Sequence, residues 1–584
     1  MKFKNKISKG AISIAITAAL TGNIATAADF YLGENDDIEL RVNTKLSIGA
    51  SWRIEEADKA NIFVGNGGTA YGSGADDGNI NYAKGDSISQ IFKGLTEFQI
   101  SKDNIGAVVK VKYWYDTLLK NKTVPHGHGP NNYLPNTKVN DENFEDFTKF
   151  SGIELLDAYV WGQFELGEVP VDLRLGRQVI SWGESTFIQG GLNSINPFDV
   201  SAFRRPGAEL KEGLLPVGMV YANLGLTESL SLEAFYQYEW VKTQIDGCGT
   251  FFSENDFAAT GCDGVTLNTG GLDDKTSWAA GLVAPRFADA EPEDGGQYGV
   301  AMRYVSAMLN DTEFGLYYYN IHSRLPLLNG NRSAVPVIYD AIGLPGDSPI
   351  FVPSSMDPTG GALAAGNPGY FVGFPEDLKY YGVSFATNIG GMALSGEATY
   401  KPDTPVQISG PELLNAALSE NPLFDFTSRV TASAPGEAIQ GWDPYDVTQV
   451  QVTAVKFIDQ FMGASRITFI GEVGATFTKD IEDADMRYSR NAHYGLGDAY
   501  VETLQAMIPP LAGTSCETTY AATGLNGDCK NDGFTTDSAW GYRARVVFDY
   551  LNVVEGAIVK IKDPVEYLKR LEFHNNVKDY QDYF

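Results

Sequence analysis

The chain has 584 residues, with 44 Lys plus Arg against 74 Asp plus Glu and a net charge of −30. That balance excludes nucleic acid as a partner, because it leaves no basic surplus to neutralise phosphates. Gly (63), Tyr (30) and Phe (32) are abundant, Cys numbers 4, and no linker divides the length, so one large sheet fits better than about three or four soluble domains.

At the start, Lys2, Lys4, Lys6 and Lys9 precede a short apolar core, "AISIAITAAL", and small residues at Ala25 and Ala27 in "ATAADF". This reads as a signal peptide over residues 1–27, cleaved after Ala27. No later run approaches the ~18 apolar residues that a spanning helix needs. The expected mature chain is therefore exported and crosses a membrane, if at all, with strands.

Strict alternation follows along the chain. In "SLSLEAFYQYEW", Leu230, Leu232, Ala234, Tyr236, Tyr238 and Trp240 share one face, opposite Ser231, Glu233, Gln237 and Glu239. "YGVAMRYV", "RITFIGEVGATF" and "WGYRARVVFDY" repeat the pattern, with Arg303, with Arg466 and Glu472, and with Arg543, Arg545 and Asp549 on their polar faces. Period two with β-branched and aromatic residues predicts strands. The strands so read cover 38–52, 93–103, 105–116, 153–168, 170–180, 215–226, 228–242 and 297–308. They continue over 312–322, 378–389, 390–400, 446–458, 463–476, 538–551 and 553–562.

Connections between them alternate long and short. Long ones follow Arg53, Asp116, Ser181, Lys242, Ser323, Pro402 and Phe477. Short ones lie at Asn104, Val169, Thr227, Asn310, Gly390, Met462 and Asn552. Aromatic residues close many apolar faces. Short turns on one side, long loops on the other and aromatic ends are the pattern of an outer-membrane barrel. A soluble sandwich also alternates but has no reason for that rhythm.

"LRLGRQVISWGES" (Leu173–Ser185) carries the pattern into a charge cluster. Val171, Leu173, Leu175 and Val179 would meet lipid while Arg174 points into a polar lumen. Arg177 has the wrong parity. A bulge at Gly176 is expected to turn it inward, the alternative being an arginine that snorkels at the interface. Beyond it come Glu184, Arg204, Arg205, Glu209, Lys211 and Glu212, in a long connection that could fold inward as a constriction or pack on the wall. Lumen and constriction candidates are thus Arg174, Arg177, Glu184, Arg204, Arg205, Glu209, Arg303, Arg466, Glu472, Arg543 and Arg545.

Cys248 and Cys262 bracket one loop, and Cys516 and Cys529 another. In an oxidising compartment two local disulfides are the simplest pairing. His126 and His128 in "PHGHGP" read as a solvated loop rather than a metal site. "DDGN" at Asp76–Asn79 lacks the spaced ligands and final Glu of a calcium loop. No metal, cofactor or catalytic constellation is expected, since "GES" at 183–185 is not a nucleophile elbow. The apolar stretches "AVPVIYDAIGLPGDSPIFVP", "PELLNAALSENPLFDF" and "YVETLQAMIPPLAG" would form either a cap with an apolar groove or compact mini-cores.

At "LRLGRQVISWGES", "GLNSINPFDVSAFRRPGAELKEGLLPVGMVYANLGL", "SWRIEEADKANIFVGNGG", "IGAVVKVKYWYDT" and "WGYRARVVFDYLNVV" the chain resembles proteobacterial outer-membrane proteins of the family called domain of unknown function 1302 (DUF1302). The resemblance runs from about residue 38 to 555. It implies a signal peptide and a large barrel. It also implies partnership with a periplasmic DUF1329-type protein and resistance-nodulation-division (RND) type transporters, hence traffic of hydrophobic or lipid-like compounds.

The expectation is one up-and-down transmembrane β-barrel over residues 28–562, of about 14–18 antiparallel strands. It would lie among outer-membrane lipid and lipopolysaccharide and conduct small hydrophobic solutes without turnover. A polar-solute porin and a structural barrel with a sealed lumen are the alternatives. Residues 563–584 form a charged, atypical tail. The odd strand count leaves either one strand unread or the closing strands missing.

Overall fold

The computed structural model describes residues 25–562 apart from 34–36, 73, 209, 263, 267–271, 282, 333–368, 420–424, 484–486, 492–493, 499–500, 508, 524–528, 532 and 555–556. The expected tail, 563–584, and Glu209 lie outside the described residues.

Sixteen strands form one antiparallel sheet in which each pairs with its neighbours in chain order. They are β1 (Ala25–Leu32), β2 (Ile38–Trp52), β3 (Ser87–Lys102), β4 (Ile105–Asp116), β5 (Ser151–Leu166) and β6 (Val169–Gln178). Next come β7 (Val217–Thr227), β8 (Leu230–Gln237), β9 (Gln297–Ser306), β10 (Thr312–Ile321) and β11 (Leu378–Ile389). The sheet ends with β12 (Met392–Gln407), β13 (Trp442–Phe461), β14 (Ala464–Thr478), β15 (Ser538–Val554) and β16 (Ala557–Lys562). Among the described residues no pairing joins β1 to β16, so the sheet is open at that seam.

The unread strand is β1, which pairs with β2 from Ala25↔Lys45 to Leu32↔Ile38. It makes the strand count even and covers the expected cleavage point after Ala27. Small residues that suit a cleavage site carry little β signal, which hides the strand.

The two faces differ as alternation requires. On the outer face Val300, Met302, Leu316 and Val383 are all more than 40% exposed. At the long-loop rim of that face Tyr298, Tyr318, Tyr381 and Tyr400 form a chain of rings with centroids 5.1–6.3 Å apart. Tyr304 and Phe314 stand at the other end. From Tyr298 to Tyr304 the apolar band runs on the order of 20 Å along the strand. Such a band, closed by aromatic rings, suits hydrocarbon flanked by two interfaces.

The largest sheet-associated core lies on the inner face. Trp182, Leu192 and Ile195, from the loop between β6 and β7, pack on Val217, Met219, Tyr221, Phe235, Tyr317 and Tyr319 of β7, β8 and β10. Above the rim, Leu413, Ala416, Phe426 and Val430 pack with Ile481, Tyr488, Leu496, Val501 and Tyr520 in a second core. A third joins Phe144 and Phe150 to Cys248 and Cys262. The described parts of the apolar loops thus form mini-cores. Ile338, Ile342, Leu344, Ile350, Phe351, Leu423, Phe424 and Ile508 lie outside the described residues.

Candidate functional site

Residues 179–216, the third long loop, lie against the inner face and touch strands far apart in the sheet. Lys112 Nζ of β4 is 2.8 Å from Asp199 Oδ2, and Lys93 Nζ of β3 is 2.6 Å from Glu212 Oε2. On the other side, Glu397 Oε2 of β12 accepts from the Glu184 N–H (2.6 Å), and its Oε1 accepts from the Leu192 N–H (3.0 Å). Glu472 of β14 accepts from the N–H groups of Thr186 (2.9 Å), Phe187 and Ile188 (2.8 Å). Lys401 donates to the Gly190 carbonyl and Gln449 to that of Gln189, both at 2.9 Å.

These contacts require curvature. In a flat sheet β4 and β12 would stand roughly 38 Å apart, eight spacings of ~4.8 Å. The loop run from Leu192 to Asp199 reaches at most ~25 Å fully extended, and Leu192–Ile195 is coiled into a 3-10 turn. Strand side chains stand roughly perpendicular to a sheet, so on a flat one Lys112 and Glu397 would add little lateral reach. The sheet therefore bends round its own loop.

Local sequence makes the close approach possible. A Cβ at Gly183 (φ +85°) would stand 2.4 Å from Glu397 Oε2, and one at Gly191 would stand 2.1 Å from Glu397 Oε1. Glycine lets the loop backbone reach the carboxylate. Asp199 then ends the crossing, its Oδ1 accepting from the Ala202 N–H (3.0 Å) at the start of the helix Val200–Arg204.

A second network supports the loop from β8 and β9. Glu233 accepts from Trp182 Nε1 (2.7 Å), Tyr221 Oη (2.9 Å) and Arg303 Nε (2.8 Å), and Arg303 also donates to Glu313 (2.6 Å). Glu184 lies in the loop, and burial raises its carboxyl to about 7, with Arg303 acting in the opposite sense and Glu313 and Glu397 reinforcing the rise.

Of the residues singled out from sequence, Glu184, Glu212, Glu233, Arg303 and Glu472 belong to this arrangement. Arg174 shares the inner face, 5.2 Å over the Tyr221 ring. Arg205 donates to the Phe147 carbonyl (2.7 Å) and stacks 4.8 Å over Trp114. Arg543 pairs in register with Glu472, and Arg545 with Ile470, which puts both on the inner face. Arg204 instead turns to the fourth long loop, 2.8 Å from Asp246. Arg466 sits at the short-turn end with Asp459 at 2.9 Å, both more than half exposed.

Arg177 corrects the expectation. Pairing runs through Gly176 and Arg177 on both sides of β6 without a register shift, so no bulge turns it inward. Gly176 takes φ +132° but inserts no extra residue. Arg177 keeps the outer parity of Leu173 and Leu175, one position from the strand end, and its Nε is 3.2 Å from Glu239 Oε2. Proximity to the rim and that carboxylate remove the need for inversion.

Sequence reading missed Lys93, Lys112, Asp199, Glu397 and Lys401. Lys110 and Lys112 in "VVKVKYWYD" were a usable signal, since charges inside an apolar alternation imply a polar inner face. The cysteines pair as Cys248–Cys262 and Cys516–Cys529. His126 does not lie in a solvated loop. It is half-buried, with Nε2 3.3 Å from Asp77 and 3.4 Å from Asp274.

With this geometry in place, the chain matches the family described as "Protein of unknown function (DUF1302)" over residues 9–568. It belongs to the DUF1302 family. Among solved structures it is similar to the Salmonella typhi OmpF complex with daunomycin, at 8% identity over 80% of this chain and 89% of that one, TM-score 0.30. It is also similar to Pseudomonas putida OprB, at 8% identity over 93% of this chain and 88% of that one, TM-score 0.27. Among curated sequences, homoserine kinase of Xanthobacter autotrophicus shares 63% identity over 35 residues, 6% of this chain and 11% of that protein. The chain spans only that 11% of the relative's length, and so short a match is no evidence of enzyme activity.

Proposed function

We propose that this DUF1302 chain is a closed outer-membrane β-barrel whose third long loop, folded into the lumen, forms the constriction of a solute conduit without catalytic turnover. The observation that carries the reading is the loop's span from Lys112 and Lys93 on one wall to Glu397 and Glu472 on the other. The exposed apolar band with its tyrosine row supports a lipid-facing outer wall. An outer-membrane address implies export, for which the leader-like residues 1–27 are the sequence support.

Small hydrophobic or lipid-like compounds are the proposed solutes, with a DUF1329-type periplasmic partner and an RND-type transporter completing the route. Family resemblance supports this part. One observation favours a second reading, a polar-solute porin: Arg174 and Arg543 remain exposed on the inner face.

Planar-bilayer recording of the refolded chain tests the conduit. Wild type should give small unitary conductance, reduced by an apolar solute such as a long-chain fatty acid. Glu472→Gln should loosen the loop and raise conductance. Silence in both would point to a sealed structural barrel, and indifference to the apolar solute would favour the polar porin.

A further inference from the structure

Above the rim, three long loops bring four carboxylates together. Asp76 and Asp77 come from the loop after β2, and Asp256 and Asp274 from the loop after β8; the loop after β4 adds His126. The four carboxylates are 0–5% exposed. Ligand atoms of Asp76, Asp77 and Asp256 lie within 4.8 Å of one another, as do those of Asp77, His126 and Asp274.

The fold satisfies part of this group and leaves part open. Asp256 Oδ2 accepts from the N–H groups of Asp76 (2.9 Å) and Asp77 (3.2 Å), and Asp76 Oδ2 accepts from Phe63 N–H (2.9 Å) and Asn66 Nδ2 (3.0 Å). Asp76 Oδ1 is buried without a hydrogen-bond donor. Among the described residues, His126 Nε2 stands within salt-bridge distance of Asp77 and Asp274. Asp76, Asp77 and Asp256 bring three negative charges into a site closed to water, and buried charge of that kind needs a counter-ion or protons.

The cluster is rigidly framed. Asp256 lies inside the loop closed by Cys248–Cys262. Asn81 donates to the carbonyls of Gly127 (2.7 Å) and Gly249 (3.1 Å), tying the three loops together. Gly78 lets the first loop approach the third partner, because a Cβ there would stand 2.4 Å from the Thr250 carbonyl oxygen.

We propose that Asp76, Asp77 and Asp256 hold a calcium ion that clamps the three loops, with cationic His126 balancing Asp77 and Asp274 from the other side. Hard carboxylate oxygens suit calcium or magnesium. Ligand oxygens within 4.8 Å of one another fit inside the ~5 Å between opposite oxygens on calcium. Irregular donors from separate loops also suit calcium's flexible shell of about six to eight oxygens. One such ion takes the local charge from −3 to −1.

Calorimetric titration of calcium chloride into the refolded, chelator-stripped full chain, free of lipopolysaccharide, is the test. One saturable site is expected, weakened at least ~tenfold in Asp76→Asn/Asp256→Asn and retained in His126→Ala. Calcium should also slow trypsin cleavage within 53–86 and 117–150 of wild type relative to chelator. That second measurement stands even if the double variant misfolds. Any of four results overturns the proposal: no calcium binding by wild type, equal binding by a folded double variant, magnesium binding as tightly, or zinc binding that His126→Ala abolishes.

Discussion

Lys112 on β4 and Asp199 in the third long loop meet at 2.8 Å with side chains 2% and 0% exposed. Lys112 also donates to the Glu212 carbonyl at 3.1 Å, and Asp199 caps the following helix. Removing one partner strands a buried charge, which costs about 3–5 kcal/mol. Asp199→Ala should therefore release the loop, seen as trypsin cleavage after Arg204 in the refolded protein. Lys112→Met with Asp199→Leu should be much milder, losing mainly the ~1 kcal/mol cap. Wild-type resistance in Asp199→Ala would mean that the pair does not hold the loop.

Both disulfides lie in long loops rather than in the sheet. Each closes a loop of 13 or 14 residues, for which chain entropy predicts up to ~3 kcal/mol of local stabilisation. Reduction should leave the sheet's heat-modifiable migration intact. Cys248–Cys262, fully buried beside Phe144 and Phe150, should be reduced more slowly than Cys516–Cys529. Timed alkylation with peptide mapping reads both rates, and the reverse order would contradict the packing.

Much of the sheet was legible because a half-buried strand repeats every two residues. Ile38–Trp52, Ile105–Asp116 and Leu378–Ile389 were read to the residue. Ends were harder. β12 continues to Gln407 through "KPDTPVQ", where Pro and Asp suggest a stop, because a register shift between Lys401 and Thr404 absorbs the irregularity. β8 stops at Gln237 although alternation persists to Trp240, since Tyr238 onward joins the loop. For the site, Glu184 stood out as part of a charge cluster and Glu472 as a charge on the polar face of a strand. Their shared role did not, because a carboxylate that binds backbone N–H groups 284 or more positions away leaves no local pattern.

The two faces can be separated chemically. Cysteine at Met302 or Phe469, 41% and 42% exposed on the outer face, should react with a lipid-soluble thiol probe in liposomes. Cysteine at Arg174 or Arg543 should react with a small water-soluble reagent. If the outer positions label from water and the inner ones do not, the outer face is a protein core and the membrane assignment fails.

Glu184 would give the proposed constriction a pH response. Burial raises its carboxyl to about 7, above the 4.5 of a free glutamate, so the fold favours the protonated form. Its stabilising contribution is full below about 4.5 and is lost as pH rises through about 7. Loop docking should accordingly be tighter at pH 5 than at pH 8. At the higher pH the new negative charge beside Glu397 and Glu313 should also increase cation over anion selectivity. Reversal potentials in a salt gradient, measured across that range, should show one inflection near pH 7. Glu184→Gln should abolish the inflection while preserving conductance. An unchanged inflection in that variant would assign the titration to another group.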